Sequence, residues 1–134
     1  MASEHIYKQY DADLQSIRAK VLEMGTIVEE QLSEAVQSLV DADTKLAEKV
    51  IRRDEEVNDL EIDIDEDCSL LIGKRSPVAA DLRNVLMMIK IIGDLERIGD
   101  ESTKIANATI RIIENDIMSK PQFKNINKNI NVYK

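Results

Sequence analysis

The chain has 134 residues, a length that suits one domain with a continuous core and needs no disulfide or metal staple. It is 43% hydrophobic but only 3% aromatic, with no Trp, one Phe, four Gly and two Pro; an aliphatic core with few breakers implies long uninterrupted helices and an all-α fold class. Twenty-six acids against eighteen Lys and Arg leave a net charge of −8, which repels a phosphate backbone and argues against a nucleic-acid partner.

The first predicted helix spans about 4–41. Its apolar stripe runs through Tyr10, Leu14, Ile17, Val21, Met24 and Val28 at alternating spacings of four and three, and Leu32, Ala35 and Leu39 extend it. His5, the single histidine, reads as an exposed or packing residue near its start. The polar cluster 41–44 ends the helix and places Asp43 or Thr44 to cap a second one, about 44–73, striped by Leu46, Val50, Val57, Leu60, Ile64, Cys68 and Leu71. Gly73 should stop it, with Ser76 as N-cap and Pro77 as first residue of the third helix, about 77–117. That helix carries Leu82, Val85, Ile89, Ile92, Leu95, Gly99, Ala106, Ile110, Ile113 and Ile117. Short connections make the three helices neighbours in an antiparallel three-helix bundle over 4–118.

Residues 119–134 differ in composition, with no acid and many Asn and Lys. Phe123, Ile126 and Ile130 keep helical spacing there, so the segment reads either as the start of a fourth helix or as a frayed tail. The longest apolar run, 85–89, ends at Lys90, far short of the roughly 20 residues of a membrane span, and no charged-then-apolar leader opens the chain. Cys68, the lone cysteine, suits a small core position in a reducing cytoplasm.

Candidate chemistry lies in Asp94-Leu95-Glu96-Arg97-Ile98-Gly99-Asp100, where Glu96 and Asp100 share one helix face a turn apart. In an antiparallel bundle, distance from a turn stands for height, at about 1.5 Å per residue. Counting from Arg75, Asp54 on the second helix lies as far back as Glu96 lies forward, and Asn58 and Asp100 flank that level. Counting from Ala42, Glu29 and Glu30 on the first helix reach the same height, which makes an acidic belt across three helices. Carboxylates and an amide are hard oxygen ligands suited to magnesium, manganese, calcium or iron more than to a soft metal. Gly93 and Gly99 each cost a helix nearly 1 kcal/mol relative to Ala, which fits tight packing or close approach by a backbone or ion. Arg97 can reach Asp94 and Glu101 on its own helix, so those acids read as surface partners.

Ser76-Pro77-Val78-Ala79-Ala80-Asp81-Leu82-Arg83, the Asp94 to Asp100 segment, His5-Ile6-Tyr7, Met24-Gly25, Val28-Glu29-Glu30-Gln31-Leu32, Val57-Asn58 and Ile64-Asp65-Glu66-Asp67-Cys68 together resemble the first repeat of the PhoU family of phosphate-uptake regulators. The resemblance covers about 5–117. It implies a PhoU-like, spectrin-like three-helix bundle and no enzymatic turnover. It further implies a bound divalent or trivalent metal ion (iron, manganese, magnesium or zinc) at acid-xxx-acid motifs. Glu96-xxx-Asp100 carries the motif intact; Asp54-xxx-Asn58 has Asn in place of the second acid. The role implied is negative regulation of phosphate-starvation signalling in the cytoplasm, between a phosphate ABC transporter and a phosphate sensor histidine kinase. The family pattern continues into a second bundle, so the expectation is either a truncated chain or a single-repeat relative that pairs as a homodimer. Two other readings stand beside it. One is a helical adaptor with no metal. The other is a carboxylate di-iron enzyme, which calls for Glu-x-x-His pairs that a single histidine cannot supply.

Overall fold

The computed structural model describes residues 2–75, 77 and 79–115. Three helices make up these residues: α1 (Ala2–Asp41), α2 (Thr44–Arg75) and α3 (Ala79–Glu114), each packed against the other two. No strand occurs among the described residues. At 1.5 Å per residue, α1 is about 60 Å long, so the bundle is a rod with one helix on each side of a narrow core.

The contacts fix the register. Lys20 Nζ meets Asp67 Oδ2 at 2.7 Å and Lys49 Nζ meets Glu34 Oε1 at 3.1 Å, while Arg53 pairs with Glu30; low numbers on α1 face high numbers on α2, as antiparallel helices require. Tyr10 donates to the Asp81 carbonyl at 3.4 Å, and the Ser38 and Thr109 hydroxyl oxygens lie 3.4 Å apart at the other end. Both pairs are 71 residues apart in sequence, so α1 and α3 run parallel.

The buried stripes alternate four and three without a break. On α1 the line is Tyr10, Leu14, Ile17, partly buried Val21, Met24, Val28, Gln31, Ala35 and Ser38. Leu32 and Leu39, expected to continue it, are 40% and 37% exposed. The reason is geometric: a strict seven-residue repeat stays on the seam only in a supercoiled helix, and the step from Val28 to Leu32 leaves that seam. The same rule puts Ala47 inside on α2 with Leu46 at the margin. On α3 it buries Met88, Ser102 and Thr109, with Ile89 and Ile110 only partly buried. Ile117 lies outside the described residues.

The core has two parts. From Tyr10 to Val28 on α1, with Val57 to Leu71 and Val85 to Ile92, it is aliphatic. Towards the α1–α2 turn it narrows to Ala35, Ala47, Val50 and Ala106, with Ser38, Ser102 and Thr109 buried among them. Those hydroxyls donate to carbonyls of their own helices: Ser38 to Ala35 at 2.7 Å, Ser102 to Ile98 at 2.9 Å and Thr109 to Ile105 at 3.1 Å. Back-bonding of this kind keeps small polar side chains satisfied in a dry core, and Ser38 and Thr109 add a contact between their hydroxyls across α1 and α3.

Helix ends follow the sequence in part. Asp43 is the N-cap of α2, its Oδ1 accepting from the Leu46 amide at 3.1 Å. The α2 helix runs through Gly73 to Arg75, because Gly73 keeps a helical backbone rather than the left-handed turn that would end it. Pro77 stands before α3, which begins at Ala79, and Ser76, the expected cap, lies outside the described residues. No helix among the described residues is long and apolar enough to cross a membrane.

The left-handed position falls instead on Ala42, with φ of 53°. The Asp43 amide donates to Ser38 O at 2.9 Å and the Ala42 amide to Leu39 O at 3.4 Å, the paired bonds of a Schellman turn. A Cβ in that conformation costs about 1 kcal/mol. Ala42→Gly should therefore raise stability by roughly 0.5–1 kcal/mol, read as a melting temperature about 2–4 °C higher.

Candidate functional site: an acidic groove between α2 and α3

Where the two cores join, one layer is built from unlike parts. Gln31 of α1 is fully buried; its Nε2 donates to Val50 O at 3.2 Å and to Asp54 Oδ1 at 3.3 Å, while its Oε1 is buried with no hydrogen-bond partner. Asp54 occupies the seam position between Val50 and Val57 on α2 and is half-buried. Gly99 completes the layer on α3. A Cβ there would stand 3.2 Å from both Asp54 Oδ1 and Gln31 Oε1 and 3.6 Å from Val57 Cγ1. The missing side chain lets the amide and the carboxylate into the bundle.

Asp54 is the inner end of a cluster. Burial pushes the Glu96 carboxyl above its ordinary range, helped by a hydrogen bond with Asp100 and by repulsion from Asp100, Glu61 and Asp54. The Asp54 carboxyl is raised chiefly by burial, with Asp100 adding to the rise and the Gln31 bond opposing it. Glu61 is raised by burial, then by Asp65 and Asp100. Asp54 and Glu61 of α2 and Glu96 of α3 thus share the field of exposed Asp100 along the groove between α2 and α3, and Glu96 also feels Glu61 and Asp54.

The height arithmetic thus places Asp54 with Glu96 and Asp100. Glu61, not expected from sequence, joins them; it lies seven residues beyond Asp54 on the same face, the signal that would have found it. Asn58 is exposed one turn from Asp54. On α1 the heights are right but the directions are not those of a belt. Glu29 is exposed and Glu30 turns outward to Arg53, whereas Gln31, one residue on, faces inward. Glu101 meets Lys104 at 3.0 Å rather than Arg97, and an added Cβ on Gly93 would touch nothing within 4 Å. Cys68 is buried, and its thiol is pushed up to about 11 chiefly by burial.

Hard oxygen donors dominate the groove, and the orphaned Gln31 oxygen adds one more to its inner end. No three or more His, Cys, Asp or Glu residues already surround one point among the described residues, so the acids line a groove rather than close a cage.

The PhoU domain family model matches residues 21–109. This chain belongs to the PhoU family. It is 46% identical over 114 residues to the phosphate-specific transport system accessory protein PhoU homolog of a Burkholderia species, covering 85% of this chain and 48% of that protein. Against the accessory protein PhoU of Escherichia coli it is 45% identical over 108 residues, 81% of this chain and 45% of the relative. The crystal structure of PhoU from Pseudomonas aeruginosa superposes with a TM-score of 0.77 at 42% identity, over 79% of this chain and 51% of that one. The PhoU from Streptococcus pneumoniae gives 0.72 at 32%, over 79% and 50%. The chain spans about half the length of these PhoU proteins, and the matched half is the three-helix bundle.

Raised carboxyl values mean that ionising the groove opposes folding. A group whose folded value lies above its unfolded one binds more protons when folded, so stability falls as pH rises between the two values. Glu96→Gln should therefore raise the melting temperature of metal-free protein at neutral pH. The gain over the parent should shrink as pH falls into the carboxylate range, checked by thermal melts across pH.

Proposed function

We propose that this chain is a non-enzymatic accessory bundle of phosphate transport, one that restrains uptake and phosphate-starvation signalling from the cytoplasm. The observation that carries the reading is PhoU membership over 21–109, with relatives at 45–46% identity named as accessory proteins of phosphate-specific transport. Its partners are a phosphate ABC transporter and a phosphate sensor histidine kinase, reached through protein contacts. Because the relatives are about twice as long, a homodimer would present the two bundles that one chain does not.

The acidic groove gives the proposal its chemistry. Asp54, Glu61, Glu96 and Asp100, with Asn58 at the rim, would hold a divalent or trivalent cation, iron, manganese, magnesium or zinc. Bound there, the cation supplies positive charge that relieves the mutual repulsion of the acids. The chain's own part is to hold those acids together. Gly99 admits Asp54, Gln31 fixes one of its oxygens, and Glu96 is kept beside Asp100 by their spacing on one helix face. A groove that changes charge on loading is a means of altering which acidic or basic partner surface can approach.

Two measurements separate the halves of this reading. Metal analysis of purified protein should find bound metal in the parent and not in a Glu96→Ala/Asp100→Ala variant, with added metal raising the melting temperature of the parent alone. Equal, negligible metal in both would sink the metal half. In a bacterium lacking its own PhoU, expressing this chain should return phosphate-starvation genes to their repressed level in phosphate-rich medium; unchanged expression would count against the regulatory half.

A further inference from the structure

The three outer grooves of the bundle are not alike, and the one between α1 and α3 is left apolar. Gln31, Ala35 and Ser38 face the core, and Glu30 and Glu34 face α2. Helical spacing then turns the row of Arg18, Gly25, Leu32 and Leu39 towards α3 and sets the row of Leu22, Glu29 and Val36 just outside it. On α3, Glu96 faces α2, so Ile91 and Ile98 border the α1 side. The six aliphatic side chains of this face are all exposed, Leu22 by 73%, and together they are more than scattered surface apolars. Gly25 has no use within the chain: Gly weakens a helix interior, yet an added Cβ there would meet nothing within 4 Å.

The face is complementary to itself. Arg18 and Glu29, of opposite charge and both exposed, have their midpoint between residues 23 and 24, and so do Leu22 and Gly25. Ile91 and Ile98 have theirs between residues 94 and 95, which is 71 residues on, the offset at which α1 and α3 stand level. A two-fold axis at that level, perpendicular to the rod, lays α1 antiparallel on its own copy and α3 on its own copy. It brings the Leu22 side chain of one copy into the open space over Gly25 of the other, Arg18 to Glu29, and Ile91 to Ile98, each within about one helical turn. The level lies two residues from the middle of α1 (Ala2–Asp41) and of α3 (Ala79–Glu114), so the two rods overlap over most of their length. An overlap of about 45 Å, two helices or about 20 Å wide, gives roughly 900 Å² per copy, the scale of a stable dimer.

We propose that two copies of this chain pair through the α1–α3 face about this axis, with Leu22 as the knob and Gly25 as the hole. The pairing rests on the homodimer of the accessory-bundle reading and adds to it the surface, the axis and the residues that meet. Asp94 comes to its own copy at the axis, and Lys90 and Arg97, one turn to either side of it, offset that repulsion. The acidic groove lies on the other side of α3, so it stays open in the pair and its loading does not bear on the pairing.

Sedimentation equilibrium of the full-length chain tests the arrangement. The parent should have the mass of a dimer, and Leu22→Glu, Ile98→Glu and Arg18→Glu should each weaken the dimer at least tenfold, with circular dichroism showing an intact bundle. Ile62→Glu, at an exposed apolar position on α2, should leave it unchanged, and Arg18→Glu/Glu29→Arg should restore it. Under mild oxidation Asp94→Cys should join two chains about tenfold faster than Ile62→Cys, since Cys68 is buried with its thiol held protonated and does not compete. A dimer indifferent to the Leu22 and Ile98 variants, or equal crosslinking at 94 and 62, would overturn this face while leaving a homodimer. A monomeric parent would overturn the pairing altogether, whereas the metal and gene-expression measurements report on the rest of the functional reading independently.

Discussion

At residue 99 the third helix has no side chain, and much of the molecule is arranged around that vacancy. A Cβ would sit 3.2 Å from both an amide oxygen of α1 and a carboxylate oxygen of α2. A helix interior loses nearly 1 kcal/mol by carrying Gly in place of Ala. The return is a layer in which three helices meet through a polar pair that a wider core would leave to water. Gln31 and Asp54 sit on the seams of their helices, so the polar layer divides a continuous core into aliphatic and small-residue parts. Towards the α1–α2 turn, Ala and Ser side chains let the helices stay close, and the rod keeps the register that the layer requires.

Asp54 links that packing to the electrostatics of the groove. Its carboxylate is held by the Gln31 amide inside the bundle and feels Asp100 at the rim. Burial and like charge both oppose its ionisation, and the same two causes act on Glu96 and Glu61. Neutralising this cluster, whether by protons or by a cation, therefore acts on the core and not only on the surface. An exposed acidic stripe would be screened by salt and coupled to nothing; this one is anchored to Gln31 of α1, whose amide also donates to the Val50 carbonyl one turn back on α2.

The parts legible in the sequence were those set by length and period. Three helices, their antiparallel order and the shared height of Asp54, Glu96 and Asp100 follow from spacing and short turns, and Asp43 was recognisable as a cap because its residue type has that use. Side-chain direction was harder. Leu32 looked like core because it is apolar, and Gln31 did not because it is polar. Yet the unbroken alternation from Tyr10 through Val28 passes through Gln31, and the period, not the residue type, decided which one is buried. The acidic belt on α1 fails for the same reason: one residue is about 100° of rotation, so Glu30 points at Arg53 while Gln31 points inward. Ala42 in a left-handed turn could not be foreseen, since the residue type speaks against it and only the demand for a tight reversal before Asp43 imposes it.

A three-helix bundle has three outer grooves, and here each has a different chemistry. The α1–α2 groove is crossed by ion pairs, Lys20 with Asp67, Lys49 with Glu34 and Arg53 with Glu30, which satisfy their own charges and leave little for a partner to recognise. The α2–α3 groove concentrates carboxylates that repel one another. The α1–α3 groove is bordered by Leu32 and Leu39 on one side and by exposed Ile91 and Ile98 on the other. One repeat of seven, read on three helices, thus sorts residues into a closed seam, a charged one and an apolar one. Such sorting needs unbroken helices of 32–40 residues, since a break in any of them would rotate the residues beyond it out of their groove. That α2 passes through Gly73 without turning, and α3 through Gly93 and Gly99, is therefore a condition of the site as much as of the fold.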